Sequence, residues 1–246
     1  MFHGKIRVFL TAVLLLAGCA VLEAQNRTLR LDYIFTGTSK ASEICLDEMS
    51  CFEGWAGRRH NMDSVALRGN GQVRLTDQAT GKVLYRQSFS TLFQEWQATE
   101  EATRVRKSFE NVFLVPMPEE KAVVEVEIYD FYGNVSASSR HVVDPSDILI
   151  RQVKRNPAPH QYLMKNGGPE ECIDVVIVAE GYTEAEVEKF YLDARTAMEA
   201  ILGHKPFDRY KGSFNFVAVA LPSQDSGVSV PGSGEWKNTA LKAHFN

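Results

Sequence analysis

Cysteine is scarce in this sequence, and its spacing excludes several kinds of site. The 246 residues include 4 cysteines, at positions 19, 45, 51 and 172. No two of them form a CxxC pair, which argues against a structural zinc site built from thiolates. Cys45 and Cys51 are close enough in sequence to close a small disulfide loop, but free cysteines also serve as small buried apolar residues. The sequence leaves both alternatives open.

The 6 histidines lack the spacing of a zinc peptidase motif. None of them is followed by glutamate, and no two lie three or four residues apart. An HExxH helix, which places two imidazoles and a general base on one face, is therefore absent. We interpret each histidine as a surface or capping residue. His204, just after a predicted helix, is expected to bond the last carbonyls of that helix.

Two other catalytic motifs are missing as well. The turn at residues 180–183 has one glycine instead of GxGxxG or GxxxxGK[ST], and Glu180 and Glu184 place negative charge where a phosphate would bind. A nucleophile elbow, GxSxG, fails at residues 227–231 because Pro231 replaces the final glycine. These departures argue against nucleotide binding and against a serine hydrolase.

Charge and hydropathy restrict partners and location. The formal net charge of −4 argues against nucleic acid as a partner. Residues 8–17 are almost wholly apolar, which is shorter than the roughly 18 to 20 residues that span a bilayer. They follow Lys5 and Arg7 and precede small residues, so residues 1–24 are predicted to be an export signal peptide.

Two cleavage sites compete within this signal. Residues 16–19, Leu-Ala-Gly-Cys, resemble a lipobox, in which Cys19 would be lipidated and attach the protein to the outer membrane. An ordinary signal-peptidase site lies before Gln25. Either alternative predicts an exported protein, located in the periplasm, at the cell surface or in the medium.

Residues 25–148 have the periodicity of strands. Apolar residues alternate at 29–35, and hairpins are predicted over residues 64–76, 73–89 and 122–143. Residues 90–110 are consistent with a short helix or a long loop. Short strands separated by turns predict an antiparallel β-sandwich. Proline and glycine then mark a linker at residues 149–170.

Residues 171–246 have a different pattern. The β-branched run at residues 173–179 predicts a strand buried on both faces. Thr183 and Glu186 form a capping box ahead of an amphipathic helix, which Gly203 ends. A second apolar run occupies residues 214–220, so the segment predicts a βαβ unit.

A polar loop follows the second of these strands, at Asp225, Ser226 and Gly227. Open α/β sheets bind ligands beyond the carboxyl ends of their strands, so these residues are candidate substrate-binding residues in the wall of a cleft. The alternative is an ordinary polar turn, in which Asp225 makes an Asx turn.

Three blocks of residues in this half resemble a known family. They are IDVVIVAEGYT at 173–183, DSGVSVP at 225–231 and WKNTA at 236–240. They are similar to the opening of the catalytic domain of M64 zinc endopeptidases, the IgA peptidase family. Residues 25 to about 150 resemble the β-sandwich that precedes that domain in exported members.

The resemblance implies an α+β, multidomain protein: a sandwich followed by the first βαβ portion of a zincin-like catalytic domain. It also implies a zinc-dependent endopeptidase acting on proteins or peptides, in which zinc-bound water attacks the scissile carbonyl. The family's HExGH helix lies C-terminal to the segment that matches residues 239–246. No catalytic residue or metal ligand can therefore be carried over, and we expect a fragment that binds no zinc and is inactive. The alternative is an exported, non-catalytic binding or adhesion protein built on the sandwich.

Overall fold

The computed structural model describes residues 27–154, 157–169 and 171–244. The predicted signal peptide, residues 1–24, and the lipidation candidate Cys19 lie outside the described residues. The chain divides into two compact units, Met1–Arg155 and Asn156–Asn246. No helix among the described residues is both long enough and apolar enough to cross a membrane.

The first unit consists mainly of strands in two sheets. Its strands are β1 Arg27–Thr38, β2 Ala41–Glu53, β3 Gly71–Asp77, β4 Val83–Phe89, β5 Lys107–Pro116, β6 Ala122–Tyr129, β7 Val135–Val143 and β8 Arg151–Gln152. The sheet orders are β5-β1-β2-β8 and β4-β3-β6-β7. Every pairing is antiparallel except that of β2 with β8. The predicted antiparallel, β-rich first unit is confirmed.

The two sheets share one hydrophobic core. Alternate residues of β1, such as Leu29 and Leu31, are fully buried and belong to the same cluster as Val73 and Leu75 of β3. Each buried aliphatic side chain of this size contributes roughly 1.5–3 kcal/mol to folding. The alternation that predicts strands therefore also accounts for the face-to-face packing.

A short helix closes one end of this core. Helix α1, Leu92–Gln97, begins after Thr91, whose hydroxyl accepts a hydrogen bond from Gln94 N at 3.1 Å. The helix buries Phe93 and Trp96. The helical alternative for residues 90–110 is therefore correct for the first part of that segment, and β5 occupies the end of it.

The hairpin predictions have mixed outcomes. The hairpins β3–β4 and β6–β7 are confirmed. The hairpin over residues 64–76 is wrong, because residues 64–68 form no strand. Gly69 has φ +65°, and Asn70 N donates to Phe89 O at 3.0 Å, so this turn leads the chain into β3, alongside β4, and does not close a hairpin with residues 64–68.

The three cysteines among the described residues are not paired. Cys45, Cys51 and Cys172 are all free. Cys45 and Cys51 lie six residues apart on the single strand β2, which separates them by about 20 Å. A disulfide requires Cα atoms within about 7 Å, so the 45–51 loop is wrong. Cys51 is a buried core residue, as the second alternative proposed.

The second unit is a three-stranded sheet with one covering helix. Its elements are β9 His160–Met164, β10 Ile173–Val178, helix α2 Val187–Gly203 and β11 Phe214–Val219. The order is β10-β11-β9, with β10 parallel to β11 and β9 antiparallel to it. A helix therefore joins two parallel strands in this unit. Its zincin-like identity stays a prediction. Short 3₁₀ helices in this unit occupy Glu184–Glu186, Phe207–Arg209, Lys211–Ser213 and Pro231–Ser233. One further 3₁₀ helix, Glu101–Thr103, lies in the first unit.

Strand β11 lies at the centre of this sheet and is paired on both sides. One expectation for the sheet is wrong. We expected both faces of strand 173–179 to be buried, but Val176 is 54 % exposed because α2 covers only the other face. The apolar run at residues 173–179 therefore indicates high β propensity and not burial on both faces.

The predicted linker, residues 149–170, contains two of the strands. β8 pairs with β2 of the first unit, and β9 pairs with β11 of the second. β8 has only two residues, and β9 has five and follows Pro159 directly, so a reading based on composition misses both. The sequence between them is where the two compact units are divided.

Candidate functional site

The carboxyl ends of the parallel strands β10 and β11 lie side by side and carry the predicted site. After β10 the chain turns at Gly181, which has φ +74°. Gly227 N donates to Gly181 O at 2.8 Å. A Cβ atom on Gly181 would lie 2.1 Å from Gly227 O, so only glycine allows this approach.

Ser223, just after β11, joins the two turns. Its buried hydroxyl oxygen accepts hydrogen bonds from Gly181 N at 3.1 Å and from Ala240 N at 3.0 Å. Its own N–H donates to Tyr182 O at 2.7 Å. Three separate segments therefore meet at one serine.

Ser226 contacts the start of helix α2. Its hydroxyl donates to Glu186 Oε1 at 2.9 Å. Glu186 Oε2 accepts from Thr183 N at 2.9 Å and from the Thr183 hydroxyl at 2.8 Å, which confirms the predicted capping box. The hydrogen bonds from Thr183, followed by the one from Ser226, hold the pKa of Glu186 below its ordinary value.

Asp225 fixes the segment around Asn238, which crosses the carboxyl edge of the sheet. Its Oδ2 accepts from Asn238 N at 2.7 Å, and its N–H donates to Asn238 O at 3.2 Å. The Asn238 side chain also donates to Gln224 Oε1 at 2.8 Å. All three predicted site residues therefore lie together at the sheet's carboxyl edge, and each is engaged within the protein.

Glu180 is the residue that sequence reasoning missed. Its carboxylate accepts hydrogen bonds from the Thr239 hydroxyl, from Leu241 N at 2.8 Å and from Ala243 N at 2.9 Å. Partial burial raises the pKa of Glu180, but these three hydrogen bonds outweigh burial and the pKa lies below its ordinary value. A carboxylate placed directly after a strand and before a glycine is the local signal, but its partners lie about sixty residues further along.

The serines of this wall do not form a nucleophilic triad. Ser223 accepts from two backbone N–H groups, Ser226 donates to Glu186, and the Ser229 hydroxyl bonds with the backbone of Lys237. None of these hydrogen bonds involves a histidine. The geometry therefore agrees with the failed GxSxG motif.

Two of the described histidines make structural contacts. His204 Nδ1 lies 2.7 Å from Ala200 O, which confirms the predicted cap at the end of α2. His141 differs from the prediction, because it is partly buried between the sheets with Nε2 2.7 Å from the Tyr33 hydroxyl. Burial lowers the pKa of His141 and raises that of Tyr33.

Comparison with known families identifies both halves of the chain. A family model described as peptidase M64 N-terminus matches residues 23–139. A second, described as IgA peptidase M64, matches residues 162–246. The chain belongs to the peptidase M64 family. The two matches fall in the two compact units in the same order. A search of curated proteins found no match.

Members of the M64 family are zinc metallopeptidases. Among residues 27–154, 157–169 and 171–244, no three side chains of histidine, cysteine, aspartate or glutamate are grouped so that they could hold a metal ion. Glu180, Glu186 and Asp225 are occupied by hydrogen-bond donors of the protein itself. The described residues therefore do not fit a zinc ion.

Proposed function

We propose that this M64 chain contributes the β-sandwich and the first strands of the catalytic domain to an exported, zinc-dependent endopeptidase acting on proteins or peptides. The match of both M64 models, in order along the chain, supports this proposal most strongly. The parallel β10–α2–β11 arrangement is consistent with the start of a zincin-like domain. The matches do not favour the non-catalytic adhesion alternative.

Within that enzyme, the edge formed by Asp225, Ser226 and Gly227 is one wall of the substrate cleft. Its shape is fixed by the contacts of Gly181 with Gly227 and of Asp225 with Asn238. Trp236, which is largely exposed close to Asn238 in sequence, offers an apolar surface to a substrate side chain. The polar groups of this wall hold its own loops in place. A zinc ion that activates the attacking water would need ligands other than the described residues.

A proteolysis assay that compares two samples tests this function. The native protein is captured from its source cells with an antibody against the sandwich, and residues 25–246 are produced separately. We expect the native protein to hydrolyse casein or gelatin, to lose this activity to a chelator and to regain it with zinc. Residues 25–246 alone should be inactive. Hydrolysis that chelators leave unchanged would contradict a zinc mechanism.

The mature N-terminus tests export. We propose that residues 1–24 are removed, or that Cys19 is lipidated after cleavage before it. Intact-mass analysis of the native protein should then show a chain that starts at Gln25, or one that starts at Cys19 and carries the added mass of a diacylglycerol group. A native protein that retains residues 1–18 would contradict both alternatives.

A further inference from the structure

The turn between β6 and β7 presents two aromatic side chains almost completely to solvent. Phe131 is 98 % exposed and Tyr132 is 85 % exposed. The turn is well fixed, because Asp130 Oδ1 accepts from Tyr132 N at 2.9 Å and from Asn134 N at 2.8 Å. Two adjacent aromatic residues are therefore held outward by an ordered turn.

Two neighbouring segments are bonded to this turn and also expose apolar side chains. Arg68 Nη2 donates to Gly133 O at 2.8 Å, and Leu67 beside it is 79 % exposed. Gln94 Nε2 donates to Tyr129 O at 3.0 Å, and Leu92 at the start of α1 is 71 % exposed. We name this end of the sandwich, with Leu67, Leu92, Phe131 and Tyr132, the aromatic tip.

Cations accompany the aromatic tip. The Arg68 guanidinium lies 4.1 Å from the Tyr129 ring centre, and Lys40 lines a cavity of about 530 Å³ together with Phe131. The Asp130 carboxylate accepts hydrogen bonds from the turn, with that of the Asn134 side chain contributing most to lowering its pKa. Arg68 and Lys40 thus place two positive charges near the exposed rings, beside the one negative charge of Asp130.

We propose that the aromatic tip inserts into the interface of an anionic lipid bilayer. Side chains this exposed protrude from the surface, and a protein partner would need a matching hollow, whereas deformable lipid accepts a protruding apolar tip. Aromatic rings are favoured at the level of the lipid headgroups. Arg68 and Lys40 would meet headgroup phosphates beside the inserted rings.

A second exposed apolar pair, Ile148 and Leu149, provides a matched control. They are 94 % and 77 % exposed. They follow the end of β7 whereas the tip precedes its start, so the two pairs are separated by about 26 Å along the strand. This pair is as exposed as the tip but contains no aromatic ring, and Asp144 beside it is paired with Lys121 at 2.9 Å. It therefore controls for the general effect of removing exposed apolar surface.

The experiment measures sedimentation with vesicles of phosphatidylethanolamine and phosphatidylglycerol. The protein is the chain from Gln25 onward, so that the apolar residues 8–17 contribute nothing, and intact mass verifies that it is not lipidated. The tip variant is F131S/Y132S, and the control variant is I148S/L149S. Circular dichroism and thermal unfolding establish that both variants fold.

We expect the unmodified chain and the control variant to bind these vesicles equally. The tip variant should bind at least about 10-fold more weakly, because it lacks the two rings that insert into the bilayer. Binding should also weaken when phosphatidylglycerol is replaced by phosphatidylcholine. The proposal is overturned if the unmodified chain stays in the supernatant, or if both variants bind as it does. Neither result depends on peptidase activity.

Discussion

Single residues hold the candidate wall together, and Glu180 is one of those that make three hydrogen bonds there. Its carboxylate receives one hydroxyl and two backbone N–H groups from residues 239–243. A carboxylate with several such donors stabilises its charged form. The wall therefore depends in part on a negative charge whose hydrogen-bond partners the local sequence pattern does not reveal.

Substituting Glu180 with glutamine should loosen this segment. The amide group of glutamine cannot accept two sets of N–H donors as the carboxylate does. We expect the amides of Leu241 and Ala243 to exchange with solvent faster in E180Q than in the unmodified chain. The control is E184Q, at an exposed residue of the 3₁₀ turn, which should leave their exchange unchanged. Equal exchange in all three proteins would contradict the role of Glu180.

The pH dependence of these amides has a definite sign. Because the pKa of Glu180 is lowered by folding, its contribution is complete above the ordinary glutamate pKa of about 4.3 and is lost as pH falls through the folded value. Protection of Leu241 N–H should therefore decrease on acidification in the unmodified chain. In E180Q the same acidification should have little specific effect. A pH-independent protection in the unmodified chain would be inconsistent with this account.

The glycine at residue 181 is required for the close approach of the two turns. Gly181→Ala places a Cβ against Gly227 O and strains a positive φ, so we expect a loss of roughly 2–4 kcal/mol in unfolding free energy. Gly203→Ala is the matched control, since a Cβ atom added there would meet no neighbouring segment within 4 Å, and it should be neutral or slightly stabilising. Urea unfolding measures both. Similar stabilities for the two variants would show that the contact is unimportant.

At the scale of elements, helix α2 is stabilised by the face it turns to the sheet. Phe190, Ala194, Met198 and Leu202 are buried, and Phe214 and Phe216 of β11 pack against the end of this row. The spacing of three and four residues predicts this face from the sequence. The helix and the sheet therefore share one core.

Truncating Met198 should destabilise the second unit. Met198→Ala leaves a cavity beneath α2 and should cost about 2–5 kcal/mol. Leu192→Ala, at a position 67 % exposed on the same helix, should change stability by less than about 0.5 kcal/mol. Thermal unfolding of the two variants checks this difference. Comparable losses of stability in the two variants would show that Met198 does not lie on the buried face of α2.

Strand β2 separates its two cysteines in reactivity as well as in space. Cys45 is exposed, and Cys51 is buried in the sandwich core. In the native protein we expect a thiol reagent to modify Cys45 quickly and Cys51 only after unfolding. Mass spectrometry of labelled peptides distinguishes the two sites. A disulfide-linked peptide that contains both cysteines under non-reducing conditions would contradict the conclusion that both thiols are free.

The sequence predicts those elements whose pattern is local. Hairpins β3–β4 and β6–β7 follow from alternation and turn residues, and α2 follows from its capping box and apolar face. β2 escaped prediction because its exposed polar residues interrupt the alternation. β8 and β9 escaped because tertiary pairing, and not propensity, makes short segments into strands.

At the scale of the whole molecule, the order of the two M64 matches agrees with the order of the two units. The positions of Asp225, Ser226 and Gly227 at the carboxyl edge could be predicted, because parallel strands bring their ends together. Their hydrogen-bond partners could not, since these depend on residues 238–243 crossing the edge. The sequence thus predicts where the wall lies, and the structure explains how it is held.

We propose that the described residues form the scaffold of an M64 zinc endopeptidase and do not themselves hold the metal. Zinc stoichiometry, measured by elemental analysis, tests it most directly. We predict about one zinc per native protein molecule and none in the polypeptide of residues 25–246 after dialysis. Stoichiometric zinc in that polypeptide, or a native protein without zinc, would contradict the account.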